Sequence, residues 1–149
     1  MVSHTFAICA YKQSPYLEEC ICSLTTQTVK SNIIIVTSTP NDHIKALAEK
    51  YHLPLYINQG ESGIAQDWNF AYRQAKTDYV TIAHQDDYYQ PEYLENILNG
   101  LKCAKDPIIA FSDYGELRNG QKVDRNQLLT IKRILLLPLR IKGLWKSVR

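Results

Sequence analysis

The feature that most constrains this fold is the stretch Asp78-Tyr79-Val80-Thr81-Ile82-Ala83-His84-Gln85-Asp86-Asp87, a β-branched run that breaks off into two adjacent carboxylates. Apolar residues without polar alternation fit a strand covered on both faces, the kind found in parallel sheets with helices on either side. Two neighbouring acids repel each other unless a cation or several donors neutralise them. In open α/β sheets, ligands sit at the carboxyl ends of the strands. A hard divalent ion joining Asp86 and Asp87 to a substrate diphosphate accounts for both observations. A solvated turn is the plainer reading of an acidic pair in isolation, so the surrounding pattern has to decide.

That pattern alternates. Thr5–Ala10 reads as a first strand, and Ser14-Pro15 supplies an N-cap and a first-turn proline for a helix to about Thr26, with Leu17, Ile21 and Leu24 on one face. Asn32–Thr37 is a second doubly buried strand. Asn41 or Asp42 caps a helix to about Tyr51, and Pro54–Asn58 is a short third strand. A helix from Ile64 to Ala75 precedes the strand that ends in the acids. Gln90-Pro91 opens a further helix to about Ala104, Pro107–Tyr114 reads as a fifth strand, and Asn119-Gly120 signals a tight turn. The order predicts an α/β fold, a mostly parallel twisted sheet with helices on both faces.

At 149 residues, 45% hydrophobic and 21% charged, the chain suits a globular domain with a real core. A net charge of +2 offers no basis for a nucleic-acid partner. Cys9, Cys20, Cys22 and Cys103 lack metal-ligand spacing and read as free thiols in a reducing compartment. No signal peptide and no spanning segment is evident, so the sequence reads as cytoplasmic. Residues 1–124 form the expected domain. Residues 125–149 form a leucine-rich tail in which Lys132, Arg133, Arg140, Lys142, Lys146 and Arg149 meet no acid beyond position 131. That tail reads either as a basic amphipathic segment on a membrane surface or as a connection whose apolar side needs a partner, a second copy included, with Pro138 interrupting any long helical face. His4, His43 and His52 read as surface or capping residues. Trp68 reads as core, and Tyr88-Tyr89 stand on a loop where ligand contact and packing weigh evenly.

Several segments together resemble the opening of a family 2 glycosyltransferase: Phe6-Ala7-Ile8-Cys9-Ala10-Tyr11, Ser23-Leu24-Thr25-Thr26-Gln27-Thr28, Ile33-Ile34-Ile35-Val36, Gly63-Ile64-Ala65-Gln66-Asp67-Trp68-Asn69 and His84-Gln85-Asp86-Asp87. The resemblance covers about residues 5–115 and implies the nucleotide-sugar-binding half of a GT-A, Rossmann-like fold, with Mg²⁺ or Mn²⁺ holding the donor diphosphate. On it, Asp86 takes the last acid of the family's D-x-D motif, Asp87 the acid after it, and His84 the place of the first. Ala10 and Tyr11 match the segment that meets the nucleobase. Gln66 stands where many members carry arginine, and Gln85 lies inside the acidic motif. Thr37-Ser38-Thr39-Pro40 replaces the usual paired aspartates after the second strand, leaving Ser38 as a hydroxyl contact to the nucleoside.

The resemblance thus implies inverting transfer of a sugar from a nucleoside-diphosphate sugar to a glycan or lipid-linked acceptor, plausibly in surface polysaccharide synthesis. The general base of such a transfer is normally supplied further along the chain. Here Asp113 and Glu116 are the nearest candidates, and Asp124 is a weaker one. The alternative is a catalytically incomplete donor-binding or assembly module. Nicotinamide and P-loop chemistry are disfavoured because no glycine-rich fingerprint follows the first strand.

Overall fold

The computed structural model of the chain describes residues 3–118, 121–123 and 127–140. The chain divides into two compact units, Met1–Lys105 and Asp106–Arg149. In the first, strands β1 (His4–Cys9), β2 (Asn32–Thr37), β3 (Leu55–Ile57) and β4 (Tyr79–His84) alternate with helices α1 (Leu17–Thr25), α2 (Asp42–Lys50) and α3 (Ile64–Gln74); α4 (Tyr93–Lys102) follows. The four strands make one parallel sheet in the order β3-β2-β1-β4. Each of these eight elements lies where the sequence pattern places it, with ends displaced by a turn or less.

The unalternating apolar runs are explained by helices on both faces. Phe6, Ile8 and Ala10 pack with Leu17, Cys20, Ile21 and Leu24 of α1, Ile44 and Leu47 of α2, and Leu94 of α4. Their intervening neighbour Ala7 turns to the opposite face, where Ile34, Val36 and Ala71 of α3 close a smaller cluster. Asn41, rather than Asp42, caps α2, its side chain accepting from Ile44 N at 3.0 Å. Ser14 is not the cap of α1: the helix opens at Leu17, and Ser14 Oγ accepts from Tyr16 N at 3.3 Å in the turn before it.

The expected fifth strand does not form. Residues 107–115 carry no regular structure, with Ile108 95% and Ile109 71% exposed. A β-branched run is strand-forming only where it finds a paired and covered place, so composition alone misleads here. The second unit instead holds an antiparallel pair, β5 (Glu116–Arg118) with β6 (Gln121–Val123), and helix α5 (Gln127–Arg140). Pro138 does not break α5, because one missing N–H···O=C bond is a local defect in an otherwise bonded backbone. Asp124 and residues 141–149 lie outside the described residues.

His4 is no surface residue. It is buried at the start of β1, its Nδ1 2.8 Å from Ser31 Oγ and its Nε2 2.9 Å from Thr81 Oγ1. His43, on the first turn of α2, bonds the Ser14 carbonyl in the loop before α1 through Nε2 at 3.0 Å rather than capping a helix, and His52 is exposed. Burial lowers the His4 imidazole from 6.5 to about 4. Between these values the unfolded chain binds the proton and the folded one does not, so stability present above pH 6.5 is lost progressively as pH falls towards 4. Unfolding midpoints measured across this window should decline on acidification. His4→Gln should start lower at neutral pH, having lost a well-packed ring, yet decline less steeply.

Candidate functional site

The site grows from the register of β1 against β4. Cys9 pairs with His84, so the segments leaving the carboxyl ends of the two central strands emerge side by side. The chain from β1 turns back towards β2 on one side, while β4 is reached from β3 by a crossover to the other. A crevice at such a reversal is where open α/β sheets bind ligands. Ala10, Tyr11, His84, Gln85, Asp86 and Asp87 all lie at this edge, as their sequence pattern requires.

Gln85 has a role that its sequence position does not disclose. Its Oε1 accepts from Tyr11 N at 3.0 Å and its Nε2 donates to Tyr11 O at 2.9 Å, so the side chain continues the β1–β4 pairing beyond the last strand residue. Lys12, in a left-handed conformation at φ 52°, donates its N–H to Thr39 Oγ1 at 2.6 Å, joining the loops after β1 and β2.

The acids ride on a turn closed by Asp87 N to His84 O at 3.2 Å. Helix α1 secures that turn from beneath. Cys20 Sγ donates to His84 O at 3.3 Å, and burial, aided by the charges of Asp87 and Asp86, pushes this thiol up to about 12, which keeps the proton it donates. Ser23 Oγ accepts from Tyr89 N at 3.2 Å. Buried Gln27 donates to the carbonyls of Ser23 and Gln90 at 3.1 and 2.8 Å and accepts from Leu94 N at 3.0 Å, which caps the entry to α4. Tyr89 is therefore core rather than ligand-facing, while Tyr88 stays 46% exposed.

Asp86 and Asp87 are both exposed at residue level. The Asp87 carboxyl nonetheless sits above the ordinary carboxylate range, chiefly because of partial desolvation, with Asp86 adding repulsion against the pull of His84. Its Oδ2 lies 3.5 Å from Tyr89 Oη, a distant contact. Among the described residues no group of three His, Cys, Asp or Glu side chains converges to hold a metal. A divalent ion shared with a diphosphate needs only one or two protein carboxylates, its other positions being taken by phosphate oxygens and water. The pair fits such an ion and does not fit a closed all-protein cage.

A second acid went unread in the sequence. Asp67, on the first turn of α3 and 8% exposed, accepts from Ser38 Oγ at 2.7 Å and from Asn58 Nδ2 at 2.8 Å. It ties the carboxyl ends of β2 and β3 to α3 and occupies one of the hydroxyl's hydrogen-bonding positions at Ser38. Its helix position beside Ala71 on the inner face was the available signal. Gly63 caps α3 at φ 154°, and a Cβ there would stand 2.4 Å from Gln66 Oε1, so Gln66 lies folded over a glycine that cannot be replaced without strain. Trp68 is not core: it is 40% exposed, its ring edge-on to His84 at 5.3 Å. In the second unit, Arg133 Nε donates to the Asp113 carboxylate, 3.1 Å from Oδ1 and 3.0 Å from Oδ2.

If α1 and the residue just past its C-cap fix the acidic turn, Gln27→Ala should cost roughly 1–3 kcal/mol by stranding the buried Leu94 N–H. Urea unfolding would measure that loss. Amide exchange should quicken at Tyr89 and Leu94 before it does in β1.

The sequence matches the family model described as glycosyl transferase family 2 over residues 5–141. It is 30% identical over 98 residues to Glycosyltransferase GlyA of Streptococcus pneumoniae serotype 4 (strain ATCC BAA-334 / TIGR4), covering 62% of this chain and 14% of that protein. Among solved structures, it resembles Staphylococcus aureus TarS 1-349 with a TM-score of 0.59 at 22% identity. It likewise resembles the mannosyltransferase PcManGT from Pyrobaculum calidifontis, in complex with GDP-Man and Mn²⁺, with a TM-score of 0.61 at 21% identity. Each match covers 67% of this chain and 32% of the other, so the chain spans about a third of the length of these structures and a seventh of the curated relative.

Proposed function

The chain belongs to glycosyl transferase family 2, and we propose that it supplies the donor-binding part of a transferase that moves a sugar from a nucleoside-diphosphate sugar to an acceptor hydroxyl. The observation that carries this reading is the adjacent pair Asp86/Asp87, held rigidly at the topological reversal between β1 and β4. The nucleoside lies over Ala10 and Tyr11, with Ser38 within reach of it and Gln66 offering an uncharged amide where a cation would bind phosphate more strongly. Gln85 acts through Tyr11, by fixing its backbone. His84 and Trp68 line the β4 side, beyond the acids.

When bound, Mg²⁺ or Mn²⁺ supplies positive charge against the departing diphosphate. Asp86 and Asp87 hold that charge in place, and the attack of the acceptor oxygen proceeds with inversion at the anomeric carbon. The acceptor is a glycan or a lipid-linked saccharide, and the setting is cytoplasmic synthesis of a surface polysaccharide. The base for the acceptor hydroxyl is Asp113, Glu116 or a carboxylate elsewhere in the transferase, and Asp113 stands 3.0 Å from Arg133 Nε. A donor-binding or assembly module that performs no transfer is the competing reading, and the two are separated by product analysis.

Titration calorimetry with nucleoside-diphosphate sugars, with and without Mn²⁺, tests the assignment. Metal-dependent binding should be present in the native chain and reduced at least tenfold in Asp86→Ala, whose unfolding midpoint should be unchanged or slightly raised by relief of repulsion. Unchanged metal-dependent affinity in that variant would sink the reading. Because Asp87 takes up a proton more readily than an ordinary aspartate, metal affinity should fall on acidification at a higher pH than an exposed carboxylate would give. Product analysis in the same mixtures separates transfer from binding alone, and any transfer that the chain performs should be abolished by Asp113→Asn or by Glu116→Gln if either carboxylate is its base.

A further inference from the structure

The connections that leave the carboxyl ends of β1, β2, β3 and β4 are residues 10–16, 38–41, 58–63 and 85–92. Lys12 is the only basic residue in them, set against Glu61, Asp86, Asp87 and Glu92. Its backbone is held in the left-handed region at φ 52°, where a residue with a Cβ is uncommon, by the bond from its N–H to Thr39 Oγ1. That bond draws Lys12 to the β2 side of Tyr11, away from the acidic turn, while Gln85 clamps the Tyr11 backbone from the β4 side. The Tyr11 ring is half exposed, and Lys12 Nζ stands 5.1 Å from its centroid. The ammonium forms no ion pair among the described residues.

Acceptors on this side of the crevice are already engaged. The carbonyl of Tyr11 accepts from Gln85 Nε2 at 2.9 Å, that of Val36 from Ala10 N at 2.8 Å, that of Thr37 from Asn58 N at 2.8 Å and that of Thr39 from Asn41 Nδ2 at 3.2 Å. Asp67 has one carboxylate oxygen on Ser38 and the other on Asn58. What remains on offer is a donor, since an ammonium carries three N–H groups and no lone pair. On the donor-site reading above, which sets the nucleoside over Ala10 and Tyr11, we infer that Lys12 chooses the base: it selects uracil and guanine against cytosine and adenine. The first two carry a carbonyl oxygen where the second two carry an amino group. Lysine donates to the oxygen and meets the amino group donor to donor. An exposed contact with the Tyr11 ring is weak and gives way to a charge-assisted hydrogen bond.

Titration calorimetry of the full chain in Mn²⁺ with UDP, GDP, CDP, ADP and inorganic pyrophosphate tests the choice. UDP and GDP should bind about tenfold more tightly than CDP and ADP. Lys12→Met keeps the length of the side chain and removes its donors, so it should erase that difference by weakening UDP and GDP, with pyrophosphate changed by less than about twofold. Lys12→Glu should reverse the preference, because a carboxylate accepts from an amino group. The side chain is exposed, so both variants should keep the native circular dichroism spectrum. Equal binding of the four nucleotides, or a preference that survives in Lys12→Met, would overturn the inference alone. So would a Lys12→Met variant that loses pyrophosphate as strongly as UDP, which would assign the cation to phosphate. Absence of binding by all five would overturn the donor reading itself, and the choice of base with it.

Discussion

The rest of the site depends on the grip of helix α1 on the turn that carries the acids. Left alone, Asp86 and Asp87 would move apart or fold back on whatever donors they found. Instead the backbone on either side of them is fixed by Cys20, Ser23 and Gln27, residues more than sixty positions earlier in the chain. Cys20 and Ser23 lie on the buried face of the helix, and Gln27 follows its C-cap. Their partners are the N–H groups of Tyr89 and Leu94, where an unmade buried bond is costly, and the carbonyls of His84 and Gln90, which also accept from Asp87 N and Tyr93 N. The effect is to spend the protein's donors on the backbone of the loop while the two carboxylates stay exposed. A loop so held can keep repelling charges close together without sequestering them.

The same economy recurs on the other side of the crevice. Gln85 might have been a ligand contact, but both ends of its amide are occupied by Tyr11. Asp67 might have been a third acid in the site, but Ser38 and Asn58 hold it against the sheet. Neither residue offers its full hydrogen-bonding capacity to a ligand. What they provide is a fixed distance between the loops after β1 and β2 and the acidic turn after β4. Under the proposed function, a donor reaching both at once would be selected for its length as well as its charge, and preorganisation of this kind reduces the ordering cost of binding.

The sequence disclosed the parts of this architecture that rest on local rules. Unalternating apolar runs announce strands covered twice, and the heptad-like faces of α1 and α2 follow from Leu17, Ile21 and Leu24 and from Ile44, Leu47 and Ala48. The acids after β4 were legible because charge at a strand end is conspicuous. What stayed hidden depends on distant partners. Pro107–Tyr114 has strand composition and no strand, because pairing is decided by neighbours rather than by propensity. His4 looked like a polar residue ahead of a strand, and only Ser31 and Thr81 make its burial tolerable. Trp68 left its expected place in the core, because α3 buries its Asp67 and Ala71 side instead, and Tyr89, for which contact and packing weighed evenly, took the packed one. Aromaticity announces a contact without saying with what.

His84 in place of an acid is the departure from the family pattern with the clearest physical consequence. A carboxylate there would add a third negative charge to a turn where Asp87 already resists ionisation. An imidazole adds none, its field favours the ionised form of Asp87, and its ring finds an edge-on partner in Trp68. The substitution therefore replaces electrostatic strain with packing, and under the proposed function it leaves the holding of a cation to Asp86 and Asp87. Because those two are fixed through the backbone and not through their own carboxylates, the loss of the first acid leaves the geometry of the remaining pair intact. The expected result is weaker cation attraction at an unchanged position, with more of the affinity resting on the diphosphate that shares the ion.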